Sequence, residues 1–278
     1  MNRYWKLLSW ELNRFSLFFM VLMLVTLFSQ LIGVLLYAHS FMNRANSAMY
    51  NESITLAQFA ENNGKVSFVN YSSSSLWFIA PVSLCAAVLI LLVFFIWYRE
   101  WFSKNSFIHR LLMLPTARMS IYTAKFSAIM LFVLGLVVFQ LLILPLESLL
   151  FNAMIKSELR DSFSVVSMIT MQPYLKMLIP RHFIEFVLYY SAGLMAIIVV
   201  FTAILLERSF RIKGIVAGVA YIIAAGFLFV APSLITQLAF PNYFYNYEVF
   251  LMELLVGIMI LIGSLWFSSF LINKKISV

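Results

Sequence analysis

Long apolar stretches alternate with short polar ones along this chain, and the apolar stretches determine its architecture. About 20 apolar residues are enough for one helix to cross a bilayer, and a helix satisfies its backbone hydrogen bonds internally, as lipid requires. The pattern therefore predicts an all-α polytopic membrane protein, with residues 1–278 forming a single transmembrane domain. The six predicted transmembrane helices are 15–38, 76–98, 121–149, 183–206, 214–236 and 249–272.

Three polar or mixed segments outside these spans have patterns of their own. In residues 1–14, Tyr4, Trp5 and Leu8 recur at helical spacing among basic side chains. This pattern favours an interfacial helix, although a frayed start of the first span would share it. Residues 39–75 and 150–182 are predicted to be extracellular, and the second could hold a short helix at the membrane surface.

The balance of charge supports a membrane location and gives an orientation. Hydrophobic residues make up 63% of the chain and charged residues 11%, whereas soluble domains contain about 25% charged residues. With the N-terminus inside, 13 of the 19 Lys and Arg residues lie on the cytoplasmic side, counting Lys125 at the inner end of its span, and 6 lie outside. The excess of positive charge inside predicts that both termini are cytoplasmic, and it explains the net charge of +8 without nucleic acid as a partner.

The most informative segment is the first predicted cytoplasmic loop, 99–120. Residues 98–122 read YREWFSKNSFIHRLLMLPTARMSIY, and Phe107, Ile108 and Leu111 are spaced for one face of a short helix. Ser106 is a suitable N-cap, and Pro115 would end the helix. Such a helix can lie flat on the inner leaflet, or it can fit a groove on a cytoplasmic partner.

The layout of the chain and this loop resemble the permease subunit of the bacterial ABC-2 type exporters. In that family a short coupling helix follows an Arg-Glu pair and sits in a cleft of the ATPase subunit. The resemblance implies an exporter of an amphipathic or hydrophobic substrate, peptides included, in a bacterial plasma membrane. It also implies a second permease subunit, as a homodimer, and two copies of the cytoplasmic ABC ATPase. The implied ATPase-coupling residues are Arg99, Glu100, Phe107, Ile108, Arg110 and Leu111.

The source of energy is expected to lie outside this chain. A P-loop requires G-x-x-x-x-G-K-[ST], which does not occur here. We therefore expect no enzymatic activity, no metal and no cofactor in the chain itself, with ATP and Mg bound by the partner ATPase. The alternative hypothesis is a membrane anchor or sensor that recruits a cytoplasmic partner through the same loop but transports nothing.

Three glutamates are predicted near the outer ends of spans: Glu147, Glu185 and Glu253. Ionisable groups in lipid are costly and are often functional, so one hypothesis places all three on the substrate path as an acidic vestibule for a cationic substrate. The other places them at the depth of the headgroups, paired with Arg181 or Lys176.

Gly214 and Gly218 form a G-x-x-x-G pattern at the start of the fifth predicted span. Small residues let helix backbones approach closely. We expect these glycines to allow close helix packing within the subunit. The alternative is that they form an interface between two subunits.

Overall fold

The computed structural model describes residues 2–52, 55–101, 118–241 and 243–275, and most of these residues are helical. In the described part of the chain, five helices are long and apolar enough to cross a membrane. The expected all-α class is confirmed, and these helices are compatible with the expected multi-pass membrane protein. The helices are α1 (Asn2–Glu52), α2 (Leu56–Asn63), α3 (Phe68–Ser74), α4 (Leu76–Trp101), α5 (Arg118–Met154), α6 (Val165–Met171), α7 (Pro173–Leu178), α8 (Phe183–Ala239) and α9 (Asn246–Phe270), followed by a π-helical end, Leu271–Lys275.

Helix α1 differs from the prediction because it is one unbroken helix of 51 residues. At 1.5 Å per residue it is about 77 Å long, whereas the hydrocarbon core of a bilayer is about 30 Å thick. It includes the predicted interfacial segment, the first predicted span and the start of the segment predicted to be extracellular. The sequence from 2 to 52 contains no proline, so nothing in it forces a break between these parts.

Helix α8 reverses its direction at Arg211, whose φ of 55° and ψ of −129° are not helical. Ala203 and Gly218 would be about 22 Å apart along a straight helix. A Cβ added to Gly218 would instead lie 2.8 Å from the Ala203 carbonyl oxygen, and one on Gly214 would overlap the Leu206 carbonyl oxygen. The two glycines therefore pack against their own chain, as expected, and α8 consists of two antiparallel halves.

The second segment predicted to be extracellular holds short helices, α6 and α7, in keeping with the expectation of a short helix there. The pairing of the two segments with each other was not predicted. Two short strands, Val66–Ser67 and Arg160–Asp161, pair in parallel, and the Gln172 side chain donates a hydrogen bond of 2.9 Å to the Ser72 carbonyl. We call residues 55–75 and 157–178 the cap. Its apolar side chains join those of α1 and α5 in one buried cluster, which includes Val34, Phe41, Phe59, Phe68, Tyr71, Leu144, Phe151, Leu159, Met168 and Leu175.

The chain divides into two compact units. The first contains residues 1–12, 90–130 and 187–278, and the second contains 13–89 and 131–186. The cap belongs to the second unit. The helix ends that border residues 102–117 belong to the first.

Candidate functional site

A buried lysine lies close to the predicted coupling loop, two turns after the start of α5. The Lys125 Nζ lies 2.6 Å from Glu11 Oε1 and 2.7 Å from Glu100 Oε1, and it donates a 3.0 Å hydrogen bond to the Ile96 carbonyl. These three partners match the three hydrogens of an ammonium group. The contacts connect the beginning of α1, the end of α4 and the beginning of α5.

The burial of this ionic cluster makes it important for structure. Lys125 and Glu100 are both 0% exposed, and Glu11 is 2% exposed. Taking charges out of water is expensive, and a buried pair becomes strongly destabilising when one partner is removed. The Trp97 ring lies 5.4 Å from the Lys125 Nζ, and Tyr4 donates a 2.7 Å hydrogen bond to Ser127, so the same three helix ends are held by further contacts.

A second set of contacts holds the end of α4 against α8, just before the reversal at Arg211. The Tyr98 hydroxyl donates a hydrogen bond to the Glu207 carboxylate. The Arg208 guanidinium lies 5.2 Å from the centre of the Tyr98 ring and 5.2 Å from that of Trp101. Cation–π contacts of this kind are strongest where water is excluded.

The other border of the 102–117 segment is fixed as well. The Arg118 side chain, at the first residue of α5, donates a 3.0 Å hydrogen bond to the Ile272 carbonyl in the π-helical end. We call these contacts the collar, and all of them lie within the first compact unit. The residues of the collar are Glu11, Tyr98, Glu100, Trp101, Arg118, Lys125, Glu207, Arg208 and Ile272.

The structure describes two of the six predicted coupling residues, Arg99 and Glu100. Arg99 is exposed, whereas Glu100 is buried and paired with Lys125. The Glu100 carboxylate is therefore committed within the chain in this conformation, which differs from the predicted direct contact with an ATPase. The other predicted coupling residues, Phe107, Ile108, Arg110 and Leu111, lie outside the described residues.

Sequence reasoning missed the central role of Lys125 and Glu11. The signal was present, because a lysine beside an apolar run is an ionisable group at the edge of a span and calls for a partner. Its partners are 114 and 25 positions away along the chain. Only the packing of the helices shows that these residues meet.

The three glutamates proposed for the substrate path differ in burial. Glu147 is fully buried, and neither of its carboxylate oxygens has a hydrogen-bond partner among the described residues. Glu185 and Glu253 are partly exposed. Burial raises the pKa of the Tyr71 hydroxyl in the cap to about 12, and nearby Glu147 contributes in the same direction.

Comparison of the chain with protein-family models, curated proteins and solved structures found no match. Among the described residues, no group of three or more His, Cys, Asp or Glu side chains is placed to bind a metal ion.

Proposed function

We propose that this chain is the permease subunit of an ATP-driven exporter and that a separate cytoplasmic ATPase subunit powers it. The observation that carries the proposal is the collar. Both borders of the 102–117 segment are held by buried or charge-assisted contacts to three other parts of the chain, which are α1, α8 and the π-helical end. A connection that only joined two spans would not require such attachment.

The collar gives the proposed coupling a mechanical basis. A force applied to residues 102–117 acts on Trp101 at one border and on Arg118 at the other. Because these borders are bonded to α1, α8 and the π-helical end, the force moves the helix ends together. Coupling of this kind travels through contiguous packed and hydrogen-bonded elements. In this mechanism Arg99, Phe107, Ile108, Arg110 and Leu111 contact the ATPase, while Glu100 positions the loop through Lys125.

The topology that we propose has six spans, with each half of α8 crossing the membrane once. The reversal at Arg211 and the close packing at Gly214 and Gly218 support this division. Both termini and residues 99–120 then lie in the cytoplasm of a bacterium, as the distribution of positive charge predicts. Two such permeases and two ATPases complete the transporter, which exports an amphipathic or hydrophobic substrate.

A reconstitution experiment tests this function. The tagged chain is purified from its native membrane, P-loop ATPases that accompany it are identified, and the complex is placed in lipid nanodiscs. We expect ATP hydrolysis that responds to a hydrophobic substrate. In Glu100→Gln, whose weakened contact with Lys125 leaves the loop less firmly held, this stimulation should fall about tenfold, a loss of ~1.4 kcal/mol.

The controls separate transport from recruitment. Glu61→Gln, on the exposed surface of the cap, should leave the stimulation unchanged. An ATPase that accompanies the chain but never responds to substrate would favour the non-transporting anchor. Absence of any P-loop ATPase from the purified complex would refute the proposal.

A further inference from the structure

The carboxyl of Glu147, on α5, is enclosed by the apolar side chains that pack between this helix and the cap. The residue is 0% exposed, and neither carboxylate oxygen has a hydrogen-bond partner among the described residues. In the same part of the chain, no charged side chain stabilises its ionised form. An ionised carboxylate without donors or a counter-charge is far more costly to bury than the neutral acid. The protonation of Glu147 therefore depends on whether the enclosure is closed.

The position of Glu147 along α5 directs its side chain toward the cap. Leu144 and Phe151 lie three residues before it and four residues after it, on the same helix face, and both belong to the buried cluster. The Phe151 ring lies 5.8 Å from the Phe68 ring and 6.2 Å from the Tyr71 ring, both of which belong to the cap. The charge of Glu147 also acts on the Tyr71 hydroxyl. The cap therefore covers the face of α5 that carries this carboxyl.

The space beside this carboxyl is filled by protein side chains. Phe68, Tyr71 and Phe78 are almost completely buried, and the Tyr37 and Tyr71 rings lie 4.9 Å apart. A Cβ added to Gly33 would overlap the Tyr71 hydroxyl. A buried water needs a cavity and two to four polar partners, and a hydrated cation needs still more room. A proton needs neither, so it is the ligand that this enclosure accepts.

We propose that Glu147 is a proton-binding site and that closure of the cap depends on its protonation. In the closed conformation the carboxyl is the neutral acid. When the cap opens, water reaches the carboxyl and its O–H bond breaks, with the electron pair staying on the carboxylate and the proton passing to water. Low pH therefore favours the closed cap, and high pH favours the open one. This inference does not rest on the proposed exporter function.

The other titratable groups near the cap do not account for a response between pH 5 and 7. Burial raises the pKa of the Tyr71 hydroxyl to about 12, and Tyr37, on α1, is a phenol with an ordinary pKa of ~10. Arg44, which acts on Tyr37, keeps its charge throughout this range. The histidine and acidic side chains on the surrounding elements are exposed to solvent rather than enclosed with Glu147, namely His39, Glu61, Glu158, Asp161 and His182.

The first measurement detects the proton itself, in the full chain in lipid nanodiscs. Infrared spectroscopy distinguishes a protonated carboxylic acid from a carboxylate by its C=O stretching band. At pH 7 we expect a band of this kind in the unmodified protein and its loss in Glu147→Gln, whose amide has the shape of the neutral acid. Glu158→Gln, which changes an exposed glutamate of the cap, is the matched control and should retain the band.

The second measurement follows opening of the cap by hydrogen exchange and mass spectrometry, in peptides from 66–75 and 157–178. Because opening releases one proton, exchange in the unmodified protein relative to Glu147→Gln should rise about tenfold per pH unit between pH 5 and 7. Taking this ratio at each pH removes the intrinsic effect of pH on exchange and the effect of the histidines, which both proteins retain. Glu158→Gln should follow the unmodified protein.

Two results would overturn the inference. Absence of the band at pH 7, or its persistence in Glu147→Gln, would show that Glu147 does not hold the proton. A band that disappears in Glu147→Gln, combined with a constant exchange ratio from pH 5 to 7, would refute the link between protonation and the cap. Glu147→Met replaces Glu147→Gln in both measurements if the latter does not fold. Neither measurement involves an ATPase, so failure here leaves the proposed exporter function standing.

Discussion

A lysine ammonium that is fully removed from solvent needs a partner for each of its hydrogens and a counter-charge nearby. Lys125 obtains both from Glu11, Glu100 and the Ile96 carbonyl. Because Glu100 comes two residues before the 102–117 segment and Lys125 eight residues after it, the pair fixes both borders at once.

The first prediction concerns the loss of this charge. Lys125→Met leaves Glu11 and Glu100 buried without their lysine, and we expect the stability of the protein to fall by about 3–5 kcal/mol. Thermal unfolding in detergent measures the change. Adding Glu11→Gln and Glu100→Gln to the same chain should restore most of the loss, because no uncompensated buried charge then remains.

Lys213→Met is the control for this series, since Lys213 is exposed and surface substitutions change stability by about 0.5 kcal/mol or less. If Lys125→Met unfolded at the temperature of the unmodified protein, the ion pairs of Lys125 with Glu11 and Glu100 would not stabilise the structure. The collar would then lack its central contacts.

The second prediction compares two buried polar residues on α5. Gln140 exchanges hydrogen bonds with Gln30 at 3.2 and 3.4 Å, whereas Glu147 has no such partner among the described residues. Replacing a partnered group leaves the other one unsatisfied, at a cost of about 1–3 kcal/mol, while replacing an unsatisfied group by an apolar one of similar shape is neutral or stabilising. We therefore expect Gln140→Met to lower the unfolding temperature and Glu147→Met to maintain or raise it. A lower unfolding temperature for Glu147→Met would indicate a bound partner for this carboxylate.

At the scale of elements, the reversal of α8 depends on a residue in an unfavourable conformation. The dihedral angles of Arg211 resemble those of the first central residue of a type II′ turn, a position that normally requires glycine. Positive φ is costly for a residue with a Cβ. The turn nevertheless forms, because Gly214 and Gly218 allow the two halves to pack closely.

The third prediction follows from this strain. Arg211→Gly should stabilise the protein by about 1 kcal/mol by removing the Cβ from this conformation. Lys213→Gly, which places glycine at a helical position two residues later, should destabilise it by about the same amount. Equal thermal stability of the two variants would show that the reversal is not strained.

The apolar pattern predicted the helices well where length and composition alone decide them. The predicted spans 76–98 and 121–149 correspond to α4 and α5, which extend only three to five residues further at the ends that differ. The cap could not be predicted in this way. Its first segment, 55–75, is rich in Asn and Ser. Its buried residues, such as Phe68 and Leu159, are far apart along the chain. The pairing of Lys125 with Glu11 and Glu100 could not be predicted for the same reason, because these residues are also far apart along the chain.

At the scale of the whole molecule, the collar lies in one compact unit and the cap lies in the other. The contacts of the collar join α1, α4, α5, α8 and the π-helical end within that single unit. In the proposed mechanism, a force on residues 102–117 would therefore reach α8 without leaving the unit.

The most direct test of the central claim is a photoreactive amino acid at Phe107, illuminated in intact membranes while the complex hydrolyses ATP. We predict a covalent adduct between this position and a P-loop ATPase, with no such adduct from the same amino acid at Leu238, which is 81% exposed at the predicted outer side. Adducts with lipid alone from position 107 in a complex that is turning over, or labelling of this position by an impermeant reagent from outside the cell, would contradict the account.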